Sequence, residues 1–233
     1  MIDPQNIAIS GDTGSISQPL DIVRVIKISQ AISSEIVLDK LLSKLMKILM
    51  ENAGAKRGVL LLLIEDELIN RAEANLDSEA VVVQETQVNE CEDLPLTVIN
   101  YVERSRQDVV LGNAFAEDRF TTDPYVTKVK LKSVLCTPII NGDKLIGVLY
   151  LENNLTTGAF TPERLEILRL LLPQAAVSLE NAILYSSAEE KIQGRTQELD
   201  ERNIQLERTL DELQRTQSQL IKSEQMSSLG RLV

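Results

Sequence analysis

Histidine is absent from the 233 residues, and so is tryptophan. Without histidine there is no histidine general base, no histidine-ligated haem and no histidine metal site. Two cysteines, Cys91 and Cys136, cannot supply the four thiolates of a usual iron–sulfur cluster, and their wide separation argues against a disulfide framework. Aromatic residues make up only 3% of the chain, so a core must be aliphatic. Basic charge is short: 24 Lys and Arg against 35 Asp and Glu leave a net charge of −11, and no run of five basic residues offsets it. That balance argues against nucleic acid or an anionic membrane surface as partner. Long apolar runs are missing too. The longest, Val59 to Ile64, is far too short to span a bilayer. Met1-Ile2-Asp3-Pro4 lacks the basic start and apolar run of a signal peptide. The expectation is a reducing, cytoplasmic setting with no membrane partner.

What is present is aliphatic periodicity. Residues 1–18 are rich in Gly, Ser, Asp and Gln and read as a linker. Leu20 to Ile32 is helical and apolar on more than one side, so it should touch both its own domain and something else. Leu38, Leu41, Leu42, Leu45, Met46 and Leu49 mark a second helix, ended by Asn52-Ala53-Gly54. Gly58 to Ile64 reads as a strand buried on both faces. Glu65-Asp66-Glu67 turns the chain into a strand at Leu68 to Ala74, and a third follows at Ala80 to Gln84. Pro95 opens a short helix, Val109 to Leu111 is a short strand, and 112–132 is a long polar connection with some helix. Two apolar runs, Ser133 to Ile140 and Leu145 to Leu151, flank Asn141-Gly142, which fits a type I′ hairpin turn. Thr161-Pro162-Glu163 supplies an N-cap, a first-turn proline and an acid for a final helix with no evident stop before Val233. This order predicts an α+β fold: an antiparallel sheet with helices packed on one side, then a long C-terminal coiled-coil helix.

That last helix carries leucine every seven residues, at Leu199, Leu206, Leu213 and Leu220. One helix cannot bury such a seam alone. With these leucines at position d, position a holds Thr196, Asn203, Leu210 and Gln217, mostly polar residues that weaken a coil while fixing its register. After Leu220 the apolar phase breaks: Glu224 and Ser227 fall in core slots, whereas Ile221, Met226, Leu229 and Val233 do not. Gly194 is a second weak point, at an outward position. The expected partner is a second copy in a parallel homodimer, with Arg202 facing Glu207 across the seam.

The element order, with Leu135-Cys136-Thr137-Pro138-Ile139, Gly147-Val148-Leu149-Tyr150-Leu151-Glu152-Asn153 and Phe160-Thr161-Pro162-Glu163, resembles the GAF family of bacterial sensory domains over residues 20–187. It is most similar to GAF domains of large multi-sensor kinases that join a serine/threonine kinase module to a histidine kinase. The segment Lys222 to Val233 resembles the stretch just before a phosphoacceptor histidine. The resemblance implies three parts: a linker at 1–18, a GAF domain at 19–187, and a signalling helix at 188–233 leading to a kinase domain in cis. It implies that the chemistry of a histidine kinase lies outside these residues.

Within that family, pigment-binding domains place histidine directly after their bilin cysteine; here Thr137 follows Cys136. Cyclic-nucleotide domains carry an Asn-Lys … Phe … Asp-Glu pattern; here Asn113-Ala114, Phe120 and Asp123-Pro124 lack the lysine and the glutamate. The family's methionine sulfoxide reductases use several cysteines, and Cys136, in phase with Val134 on a strand, reads as a core residue. No bilin, haem, iron–sulfur cluster or other cofactor is therefore expected. Should a small molecule bind, its pocket is expected between the sheet and the 112–132 connection, lined by Phe115, Phe120, Tyr125 and Cys136. The alternatives are a GAF regulatory domain of another output, such as a transcriptional activator or a cyclic-nucleotide enzyme, and a ligand-free dimerisation module.

Overall fold

A computed structural model describes residues 19–76, 81–91, 93–116 and 119–230, with side chains from Ile26 to Lys222 apart from Glu90. Residues 1–18 and the last three lie outside it, and with them the expected linker; the side chains of the phase break beyond Lys222 are likewise not described. The elements are α1 (Pro19–Ser33), α2 (Leu38–Ala53), β1 (Arg57–Ile64), β2 (Glu67–Asn75), β3 (Val81–Gln87), a 3-10 turn (Val88–Glu90), α3 (Leu96–Ser105), β4 (Val109–Leu111), α4 (Pro124–Val129), β5 (Ser133–Asn141), β6 (Lys144–Asn153) and α5 (Pro162–Gly230). Contacts divide the chain into two compact units, Met1–Ala182 and Ile183–Val233.

The first unit is built on a six-stranded sheet in the order β3-β2-β1-β6-β5-β4, with every neighbouring pair antiparallel. This is the α+β architecture that the element order predicts. Strand alternation divides the side chains between two faces. A Cβ on Gly58 would meet Leu151, Met46 and Met50, so α2 lies over the face carrying Gly58 and Leu151. The buried side of α2, Leu41, Leu42, Leu45, Met46 and Leu49, fills that layer. The start of α5 is tied to the same unit by Gln174 to Ser33 and by Glu180 to Asn141 and Lys144. The opposite face is also covered. There Val59, Leu61, Val134, Cys136, Val148 and Tyr150 join Val98, Ile99 and Val102 of α3 in one core cluster. The helical layer beside α2 therefore has a counterpart of α3, α4 and the 112–132 connection.

The β5–β6 hairpin differs from its expected turn type. Asn141 pairs with Lys144, so Gly142 and Asp143 are the central residues, and of these only Gly142 has positive φ, at 60°. That is the φ pattern of a type II′ turn rather than the expected type I′. Positive φ at both central positions occurs instead between β1 and β2, at Glu65 (51°) and Asp66 (65°). A second glycine is required by closeness. A Cβ on Gly147 would lie 2.0 Å from the Leu61 carbonyl oxygen, so only glycine lets β6 and β1 approach there.

Candidate functional site

Register places Arg57 of β1 opposite Glu152 of β6, and Val59 opposite both Tyr150 and Glu73. These side chains meet on the α3 face as a buried polar cluster. Arg57 Nε donates to Glu73 Oε1 at 2.7 Å, and an Arg57 Nη1 N–H donates to the Tyr125 hydroxyl at 2.9 Å. The Tyr125 hydroxyl donates to Glu152 at 3.0 Å, and the Tyr150 hydroxyl donates to Glu152 Oε2 at 2.6 Å. The Arg57 guanidinium lies 3.8 Å from Glu152. Burial opposes the Arg57 charge, but Glu73, Tyr125 and Glu152 outweigh it and hold its pKa above the ordinary value. Burial, and after it the Glu152 charge, pushes both tyrosine hydroxyls up, so they stay neutral donors. Glu152 is thus a buried carboxylate with its acceptor sites engaged, the condition for tolerating a charge inside a fold.

Beside this cluster lies a cavity of about 410 Å³, lined by Asn89, Cys91, Leu94, Leu96, Thr97, Asp123, Pro124, Tyr125 and Lys128. Asp123 shapes its wall. Its Oδ1 accepts from the backbone N–H of Tyr125 at 2.9 Å and caps α4. Its Oδ2 accepts from the backbone N–H of Thr97 at 3.0 Å and from the Thr97 hydroxyl at 2.6 Å. One buried carboxylate therefore fastens the start of α3 to the start of α4. Lys128 and Asp93 sit at 3.7 Å, both exposed.

The four expected lining residues separate. Tyr125 lines the cavity with its ring and joins the polar cluster with its hydroxyl. Phe120 is buried in the core, its ring edge-on to Tyr101 at 6.0 Å, with the Arg119 guanidinium over both rings. Cys136 is fully buried in the same core, and desolvation pushes its thiol well above the ordinary range. Phe115 is 46% exposed and belongs neither to that core nor to the cavity lining. Asn89, Leu94, Leu96 and Thr97 escaped the sequence reading because the link from β3 to α3 has no periodicity that marks it as a wall, and Lys128 because an exposed lysine on the short α4 carries no signal of its own. Cys91, set in an acidic stretch, is half-buried and does line the cavity.

In the second unit the heptad leucines are left on the surface. Leu199, Leu206, Leu210, Leu213 and Leu220 are 59–63% exposed in the single chain. Asn203 and Gln217 are exposed among them, as is Gly194, where a Cβ would meet nothing within 4 Å.

The family model for the GAF domain matches residues 37–179. The chain belongs to the GAF family. A curated relative, hybrid signal transduction histidine kinase G of Dictyostelium discoideum, is 29% identical over an alignment 265 positions long that covers 71% of this chain. The chain spans 8% of that relative's length. Among solved structures, the GAF domain of an Acinetobacter phosphoenolpyruvate-protein phosphotransferase matches at a TM-score of 0.55 and 20% identity, covering 72% of this chain and 96% of that one. The free methionine-R-sulfoxide reductase of Neisseria meningitidis, solved with its substrate, matches at 0.52 and 15%, covering 71% and 92%. At these identities the likeness concerns the fold. One element differs from the hydropathy reading: α5, over Pro162–Lys222, is by length and composition long and apolar enough to cross a membrane. Its apolar stretch includes Leu168, Leu171, Ala175 and Leu179, which are buried in the GAF body, as in the core helix of a folded domain.

Proposed function

We propose that this chain is a sensory or coupling GAF domain of a cytoplasmic histidine kinase, and that it passes a conformational bias along α5 through a parallel coiled-coil dimer to a kinase domain in cis. The carrying observation is the row of leucines exposed every seven residues on α5, an apolar surface that a single copy leaves in water. The histidine kinase relative and the Lys222–Val233 segment support that output over a transcriptional activator or cyclic-nucleotide enzyme. With polar Asn203 and Gln217 in the seam, two packings of the coil differ by a few kcal/mol, within reach of a small change in the GAF body. No cofactor takes part, and a small-molecule signal, where there is one, enters at the cavity beside Tyr125.

The test replaces Asn203 and Gln217 with isoleucine in the longer kinase and measures autophosphorylation with dimer affinity. A tighter dimer with output locked in one state is expected. A tighter dimer with unchanged regulation would sink the proposal. A reductase reading is favoured by fold likeness alone, to free methionine-R-sulfoxide reductases such as that of Neisseria. The burial and raised pKa of Cys136 oppose it, and purified chain is expected to leave free methionine sulfoxide unreduced.

A further inference from the structure

We infer that β3, the outer strand of the sheet, takes up an extended acidic peptide of a partner protein as a further strand, with the peptide's carboxylates held by Lys40 and Lys47 of α2. β3 pairs with β2 on one side, and among the described residues no strand pairs with its other side. Such an edge offers a row of backbone N–H and C=O groups to any extended chain, and proteins usually blunt it with lysine, proline or a very short strand. β3 has none of these. It runs for seven residues, Val81-Val82-Val83-Gln84-Glu85-Thr86-Gln87, and Val82 is 54% exposed. In strand addition the backbone supplies affinity and the flanking side chains supply selection.

The flanking side chains are basic. Arg71 ties the start of α2 to the later part of β3, through Asp39 at 3.7 Å and Glu85 at 2.9 Å. Lys47 and Val81 line the same two grooves, of about 450 and 550 Å³. α2 therefore runs antiparallel to β3 along the edge. The lengths agree, since Asp39 to Lys47 rises about 12 Å as helix and Glu85 to Val81 spans about 13 Å as strand. Lys40 and Lys47 are exposed on this run, whereas the Lys44 ammonium is engaged by the Ala31 carbonyl. Arg71 takes up Asp39 and Glu85, which leaves Glu51, one turn beyond Lys47, as the other acid of the groove lining. Register puts Val81 opposite Ala74 and Ala74 opposite Gly58, on the face that α2 covers. Alternate residues of an added strand stand on that face beside the lysines. Carboxylates there complement a local basic row in a chain of net charge −11. A second copy fits the edge poorly. Two β3 strands paired antiparallel about a two-fold axis put both α2 helices on one face of the joined sheet, with their lysines against each other.

The probe is a blocked heptapeptide of alternating glutamate and valine, added to the full 233-residue chain at low salt. Fluorescence anisotropy reads binding, and amide hydrogen exchange reads β3. The acidic peptide is expected to bind and to slow exchange along β3, and a lysine–valine peptide to do neither. Lys40→Glu with Lys47→Glu should weaken binding about ten-fold. Lys40→Gln with Lys47→Gln removes the charges without reversing them and should weaken it by a smaller factor. Absent binding, binding that ignores these substitutions, or binding that leaves β3 exchange unchanged would overturn the inference. So would a β3 edge that is as protected in the chain alone as with peptide. Protection that rises with protein concentration would assign the edge to a second copy, and protection at every concentration to another segment of this chain.

Discussion

Arg57 holds together groups that would otherwise be expensive to bury. Glu152 sits in the apolar run of β6, and its charge is tolerable because Arg57, Tyr125 and Tyr150 surround it. Removing the cation strands the carboxylate, so Arg57→Met is expected to cost about 3–5 kcal/mol, measured by urea unfolding. Tyr125→Phe removes one hydroxyl and costs about 1–2 kcal/mol. A pH dependence follows from the tyrosines. Burial raises the folded-state pKa of Tyr125 and Tyr150 above the unfolded value, near 10. Above that pH the unfolded chain loses protons that the folded chain keeps, so stability is full below it and falls as pH rises beyond it. The Tyr125→Phe protein should lose stability less steeply in alkali, and an unchanged slope would remove Tyr125 from this account. None of the cluster is visible in the sequence, where Arg57 and Glu152 are ninety-five positions apart and Glu152 reads as the end of a strand motif. Register, not composition, brings them together.

Secondary-structure elements were far more legible than the turns that join them. Continuous apolar runs announced β1, β5 and β6, because strands buried on both faces leave little polar residue to confuse the pattern. The helix phase of α2 was equally plain, and its buried residues are those at helical spacing. Turn type was not legible from dipeptides. Asn141-Gly142 suggested the central pair of a hairpin, but a bulge at Ile139/Ile140 and the pairing of Asn141 with Lys144 move the turn one residue on. The turn with two left-handed residues fell on Glu65-Asp66, where aspartate tolerates that region and glutamate does not favour it. Replacing Glu65 with Asn and Asp66 with Gly is therefore expected to stabilise the protein by about 0.5–1 kcal/mol, read as a higher urea midpoint. By contrast Gly147→Ala forces a Cβ onto the Leu61 carbonyl and should lower the midpoint sharply, since the obstacle is backbone. At the turn of the same hairpin, Lys144 Nζ and Asn141 Nδ2 donate to Glu180 of α5 at 2.8 and 2.6 Å and hold its carboxyl below the ordinary glutamate range.

The whole chain joins a body with its own core to a helix without one. Residues Met1–Ala182 contain the sheet and both buried layers, whereas in Ile183–Val233 the heptad leucines stay exposed. A helix in water draws little stability from propensity alone and most from packing an apolar face. The second unit should therefore owe its stability to association, and the first should not. Two-state behaviour then fails for the full chain. Heating followed by circular dichroism is expected to show two transitions. The lower one, losing helix from the second unit, should move upward as protein concentration increases, because association stabilises by mass action. The upper one, the GAF body, should stay fixed. Leu206→Asp together with Leu213→Asp removes two exposed seam residues without touching the core, so it should abolish the concentration-dependent transition and leave the upper one in place. A single transition that ignores concentration, or an upper transition that falls with the seam, would mean that the helix is held by something other than a second copy.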